Sequence, residues 1–256
     1  MMASSEAVHG RTAVVTGGGT GLGRAISRSL VEAGARVIAV GRRREPLEAL
    51  AAELGDAVRI ATCDVADPAA VEALVGEIAE EDVSILVNNA GIGGPVAHLV
   101  DIDPVSWDEV FAINVRGTFL MCRALLPAMI ERGSGDVINL ASVSGKRPLE
   151  ARTPYCASKM AVLGLTSTLA VETGPSGVRV NALSPGPVES ERMTRNLRLE
   201  AERRGVDVEV ARQDFVGRAA LGRMVTEEEV AAAVLAILAM PGMTGADVDL
   251  SAGMIA

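Results

Sequence analysis

Seven short runs along the chain are rich in β-branched residues and apolar nearly throughout: TAVVT (12–16), RVIAV (36–40), VRIAT (58–62), SILVN (84–88), DVINLA (136–141), VRVNAL (178–183) and DVDL (247–250). Apolar and polar positions do not alternate in them, which is the pattern of strands covered on both faces. Between them lie stretches with helical spacing, over roughly 21–33, 45–54, 68–80, 104–131, 153–173, 189–215 and 226–239. Several of these carry start signals. Asp67-Pro68 and Asp103-Pro104 each set a capping aspartate before a proline, and Thr226 precedes three glutamates suited to the positive end of a helix.

Strand–helix alternation of this kind predicts an α/β fold: a doubly wound, seven-stranded parallel sheet flanked by helices. No repeat, low-complexity tract or linker divides the chain. The expected organisation is a flexible N-terminus over 1–10 and a single dinucleotide-binding and catalytic domain over 11–256. The charge-rich stretch 189–218 is read as a helical insertion over one end of the sheet.

Composition narrows the function. With 24 basic against 33 acidic side chains the net charge is −9, which opposes binding to a phosphate backbone. Only three Phe, one Trp and one Tyr are present, so there is little on which to stack bases. The opening MMASSEAVHGR has no apolar core of the secretory kind, and the uncharged run Ala231 to Ala246 is broken by Pro241 and Gly242, short of the ~20 residues a bilayer span needs. No membrane association is therefore expected. Cys63, Cys122 and Cys156 form no CxxC, which points away from zinc and disulfides and towards a reducing, cytoplasmic setting. The only histidines, His9 and His98, do not make a metal centre.

Directly after the first strand comes Thr16-Gly17-Gly18-Gly19-Thr20-Gly21-Leu22-Gly23, followed by a helical pattern. Glycines let the backbone approach a ligand closely, and the free N–H groups of the next helix favour a pyrophosphate. The spacing is G-x-x-x-G-x-G, a departure from the usual G-x-G-x-x-G fingerprint. At the end of the second strand stands Val40-Gly41-Arg42-Arg43-Arg44, with no carboxylate for a ribose 2′-hydroxyl. Three cations at a helix start oppose the macrodipole, so an anionic partner accounts for them better, and a 2′-phosphate held by Arg42 or Arg43 favours NADP(H) over NAD(H). The sole tyrosine lies in Tyr155-Cys156-Ala157-Ser158-Lys159. Four residues apart on a helix, Tyr155 and Lys159 share a face, and an ammonium beside a phenol favours the phenolate. Such a pair is a tunable proton donor and acceptor.

With the glycine loop, Asn88-Asn89-Ala90-Gly91, Asn114 in Phe111-Ala112-Ile113-Asn114-Val115, Ser142 in Asn139-Leu140-Ala141-Ser142, the Tyr155/Lys159 pair and Pro185-Gly186 all in order, the chain resembles the short-chain dehydrogenase/reductase family from about Arg11 to Met254. The resemblance implies a Rossmann-like fold, a ketone/secondary-alcohol oxidoreductase, and the following roles. Tyr155 is the general acid or base at the substrate oxygen. Lys159 lowers its pKa and holds the nicotinamide ribose, Ser142 stabilises the reacting oxygen, and Asn114 anchors a water that resupplies protons. Gly17, Gly19, Thr20, Gly21, Leu22 and Gly23 cradle the cofactor phosphates. Asp64 and Val65 meet the adenine end, Asn89 and Gly91 the ribose region, and Pro185, Gly186, Val188 and Ser190 the nicotinamide. A homotetramer is implied as well.

A 3-oxoacyl-type ketoreductase is the favoured activity. A dehydrogenase of a small polyol or other secondary alcohol is the alternative, because the segment 189–215 matches no assignable substrate pattern. A cofactor-binding sensor or scaffold without chemistry is the rival from another class. Arg147, Arg152, Arg192 and Arg195 near the site are read as a solvated rim ahead of contacts to an anionic substrate.

Overall fold

The computed structural model describes residues 6–147 and 149–254. Strand β1 (Thr12–Thr16) leads through a glycine turn into helix α1 (Gly21–Glu32), then β2 (Arg36–Gly41), α2 (Arg44–Leu54) and β3 (Val58–Thr62). Next come α3 (Pro68–Glu77), β4 (Val83–Asn88), α4 (Pro104–Phe111), a π turn (Ala112–Arg116) and α5 (Gly117–Arg132). The remainder is β5 (Gly135–Leu140), α6 (Thr153–Thr173), β6 (Val178–Pro185), α7 (Glu191–Arg204), α8 (Val208–Val216), α9 (Glu227–Leu238) and β7 (Asp247–Leu250). The strands form one parallel sheet in the order β3-β2-β1-β4-β5-β6-β7, the α/β architecture that the pattern of apolar runs predicts.

The strands are apolar throughout because each face of the sheet has its own core. Successive side chains point to opposite faces. Val37 and Ala39 join the layer with α1 and α9, while Ile38 and Val40 join the layer with α3 and α5. Ile85 and Val87 against Leu86 repeat the division on β4. Each fully buried Val, Leu or Ile contributes about 1.5–3 kcal/mol. One polar ladder crosses this apolar interior. Asn88 donates to Asn139 at 2.9 Å, and Asn139 donates to the Thr166 hydroxyl at 2.9 Å, which ties α6 to β4 and β5.

Helix starts follow the capping residues. Asp67 accepts the Ala69 N–H at 2.9 Å and Asp103 the Ser106 N–H at 2.9 Å. Thr226 and Glu229 form a reciprocal capping box. The expected helix over 189–215 is instead two helices. Gly205, in the left-handed region, ends α7, and Asp207 caps α8 by accepting the Glu209 N–H at 2.7 Å. The helix over 104–131 is interrupted by the π turn. Pro104–Arg132 is long and apolar enough to cross a membrane by composition, and over half of its most apolar window is buried, as in the core helix of a globular fold. Of the stretch 1–10 expected to be flexible, residues 1–5 lie outside the described residues, and the remainder is tied down. Val8 is fully buried in the core, and Gly10 donates to the Gly34 carbonyl at 2.9 Å.

Candidate active site

The strand order reverses between β1 and β4, and the crevice beyond their carboxyl ends is where open parallel sheets bind ligands. Two cavities open there and share Gly91. The first, of about 540 Å³, is lined by Gly17, Gly19, Thr20, Gly41, Arg42, Arg43, Cys63, Asp64 and Val65. The second, of about 240 Å³, is lined by Leu22, Asn89, Ser142, Tyr155, Lys159, Pro185, Gly186, Val188, Ser190 and the start of α7.

The first cavity is backbone-built. Gly17 has φ +66°, and a Cβ there would stand 2.9 Å from Asn89 Nδ2. Gly23 lies outside both cavities; a Cβ on it would run into the Gly17 carbonyl, so its bareness sets how closely α1 approaches the loop. Gly21 (φ +51°) also lines neither cavity and opens α1. Thr20 occupies the N-cap without a side-chain capping bond, and the first turn of α1 carries no acidic residue, which suits its N–H groups to an anion. Asn89 braces this turn by donating to the Thr16 carbonyl at 2.9 Å, while Thr16 Oγ1 accepts the N–H groups of Asn89 and Ala90 at 3.0 Å. Arg42 and Arg43 are exposed and make no ion pair among the described residues, whereas Arg44 pairs with Glu48 at 2.7 Å. Asp64 accepts the Ala66 N–H at 3.0 Å, and Val65 is buried beside it. Space, bare glycines and free cations thus fit a dinucleotide, the group the sequence predicts.

The second cavity is built from side chains. Tyr155 and Lys159 sit one turn apart on α6, with Lys159 Nζ 5.9 Å from the ring centroid of Tyr155. Lys159 is buried and donates to the Leu140 carbonyl at 2.6 Å. Burial opposes the phenolate. The Lys159 ammonium, Arg192, a hydrogen bond from Ser142 and Arg152 outweigh it and hold the Tyr155 phenol below its ordinary range. Burial also lowers Lys159, against the pull of Tyr155. Ser142 leaves β5, accepts the Ser144 N–H at 3.2 Å and lines the same cavity as the phenol. Asn114 lines neither cavity. It is 1% exposed in the π turn, accepts the Ile92 N–H at 2.8 Å, and donates to the Ile92 carbonyl and Ser158 Oγ at 3.0 Å. That carboxamide locks the loop after β4 to α6. Ser190 caps α7 by accepting the Met193 N–H at 3.2 Å, and Val188 bridges to Val225. Burial pushes the Cys63 thiol up to about 11, so it is no nucleophile near neutrality.

Two features escaped the sequence. The Asn88–Asn139–Thr166 ladder that positions α6 is visible only as polar residues inside apolar runs. Arg152 is not on the rim: it is 6% exposed, with its guanidinium carbon 5.6 Å from the Tyr155 ring centroid.

A family model described as short chain dehydrogenase matches residues 11–202. D-threitol dehydrogenase of Mycolicibacterium smegmatis is 43% identical over 189 residues, covering 72% of each chain. Among solved structures, NAD+-bound xylitol dehydrogenase superposes with a TM-score of 0.90 at 30% identity, over 94% of this chain and 98% of that one. An actinorhodin polyketide ketoreductase with NADPH superposes with a TM-score of 0.89 at 34% identity, over 95% and 97%.

Proposed function

The chain belongs to the short-chain dehydrogenase family, enzymes that interconvert secondary alcohols and ketones, and on that premise we propose that it acts on a small polyhydroxylated secondary alcohol, with Tyr155 as its acid–base group. The bound nicotinamide supplies hydride transfer. The chain's own residues handle the proton. In alcohol oxidation the Tyr155 phenolate accepts the hydroxyl proton; in reduction the phenol gives it to the carbonyl oxygen. Lys159 favours the phenolate, Ser142 hydrogen-bonds the same oxygen, and Asn114 serves proton resupply from behind Lys159. Gly17, Gly19 and Thr20 would hold the pyrophosphate, Asp64 and Val65 the adenine end, and Pro185, Gly186 and Val188 the nicotinamide.

One observation carries this reading: the chain's single phenol stands in a cavity against a buried ammonium and is held below its ordinary pKa. The threitol and xylitol enzymes among the similar proteins favour a polyol over a 3-oxoacyl substrate. The polyketide ketoreductase favours the 3-oxoacyl type as a second reading. Turnover of polyols and 3-oxoacyl thioesters with both cofactors separates the two. Persistence of wild-type turnover in Tyr155→Phe would overturn the mechanism, and cofactor binding with no turnover on any alcohol or ketone would favour the sensor.

NADP(H) is the proposed cofactor, on the strength of the unpaired Arg42 and Arg43 beside the first cavity. A homotetramer is the proposed assembly. Gly164 on α6 borders open space, with Met160 and Val171 exposed on the same helix, and light scattering on the eluted protein tests it.

A further inference from the structure

Arg152 is in an unusual position for a cation. It is 6% exposed, and its Nε is fully buried with no hydrogen-bond partner among the described residues. Among the described residues it makes no ion pair and no side-chain hydrogen bond. Buried charges are ordinarily paired, and leaving one unpaired costs several kcal/mol. The surroundings make the lack more costly. Arg152 is the N-cap of the 21-residue helix α6, where the positive helix end repels a cation. Arg192 stands close enough to repel it further. Glu200, the carboxylate that acts on it, is already held by Arg203 through two hydrogen bonds at 2.8 and 3.0 Å. Of the other arginines lining the cavity, Arg204 pairs with Asp214 at 2.7 Å and Arg147 with Asp249 at 2.9 Å, while Arg218 makes no ion pair among the described residues but, unlike Arg152, is not buried.

The site around the guanidinium is confined. Its Cζ lies over the Tyr155 ring, 5.6 Å from the centroid, and a Cβ on Gly93 would come within 2.6 Å of its Nη2. Gly93 therefore leaves the room in which the side chain sits. Arg152 and Arg192 both line the cavity that holds Tyr155. A buried guanidinium whose Nε has no partner among the described residues, at a helix N-terminus and over the reacting phenol, matches the chemistry of an oxyanion.

We propose that Arg152, assisted by Arg192, anchors an oxyanion borne by the substrate, so that the enzyme takes a polyhydroxylated acid whose carboxylate sits on Arg152 while a secondary hydroxyl faces Tyr155. The proposal rests on this cavity being the substrate site, and deepens that reading by naming the substrate class. Binding supplies the missing partner: the guanidinium gains charge-assisted hydrogen bonds, and the repulsion among Arg152, Arg192 and the helix end is relieved.

The matched pair threonate and threitol isolates the charge, since they differ by a carboxylate in place of a terminal hydroxymethyl. In the wild-type enzyme kcat/KM for threonate should exceed that for threitol by ~10-fold or more. Arg152→Gln should cut threonate turnover by ~10- to 100-fold more than threitol turnover, the difference being the worth of the lost charge-assisted bonds, since threitol loses only the help Arg152 gives to the phenolate. Arg152→Lys, which keeps charge without the fork, should fall between. A wild-type preference for threitol, or an equal loss on both substrates in Arg152→Gln, overturns the proposal; the latter would make Arg152 a tuner of the phenol alone. A second readout needs no turnover. Because Tyr155 is the only tyrosine, the phenolate absorbance reports it directly. Threonate should raise the midpoint of that titration in wild type by neutralising Arg152, and should not in Arg152→Gln; no shift in wild type overturns the anion site. If neither compound turns over with either nicotinamide cofactor, the polyol reading fails while the absorbance titration still decides the anion site.

Discussion

The two cavities that meet at Gly91 are made of different material. The larger is shaped by backbone: bare glycines, a helix N-terminus and the carboxyl ends of β1 and β2, with two arginines in solvent at its mouth. The smaller is shaped by side chains drawn from β5, α6, β6 and α7, two of them, Arg152 and Lys159, buried and charged. A backbone cradle recognises what every dinucleotide has, a pyrophosphate and two riboses. A side-chain cavity must recognise what distinguishes one alcohol from another. The generality of the first and the particularity of the second follow from those materials.

Substitutions on either side should separate the two. The largest effect belongs to the smaller cavity: Tyr155→Phe removes the proposed proton donor and should reduce kcat by ~10²- to 10⁴-fold while cofactor titration stays near wild type. Because the phenol is held below its ordinary value, alcohol oxidation should rise with pH and level off before ~10, the pKa of a free phenol. Lys159→Met should move that rise to higher pH in a pH–rate profile. Behind the loop of the larger cavity, Gly23→Ala drives a methyl into the Gly17 carbonyl and should cost about 1–3 kcal/mol in denaturant unfolding, with weakened cofactor binding. Arg42→Ala should raise the KM for NADPH by ~10-fold and leave that for NADH almost unchanged; equal effects on both would remove Arg42 from the 2′-phosphate site. The smallest effect lies outside both cavities. Thr226→Ala opens the capping box of α9 and should lower stability by about 1 kcal/mol, with kcat/KM intact.

The same contrast explains what could be read without a structure. β1, the glycine turn and α1 are contiguous in sequence, so their chemistry is local and their pattern visible. Tyr155 and Lys159 are legible for the same reason, being one helical turn apart. The break between α7 and α8 was also written locally, in Gly205 and Asp207, but continuous charge hid it within one apparent helix. Arg152 could not be placed. Its burial depends on Gly93 from a distant loop and its loneliness on Glu200 turning to Arg203, neither of which has any trace in the residues beside it. Val8 illustrates the reverse error, since a short polar neighbourhood concealed a side chain fully buried in the core.

The π turn at Ala112–Arg116 holds one residue more than the regular helix around it needs. Removing a single residue just before Asn114 would let α4 run straight into α5, a change the fold could absorb. It would also rotate Asn114 by about 100° relative to the preceding turn, away from Ile92 and Ser158. Here the reading frame of a helix, as much as the identity of any side chain, is what a lineage would have to preserve.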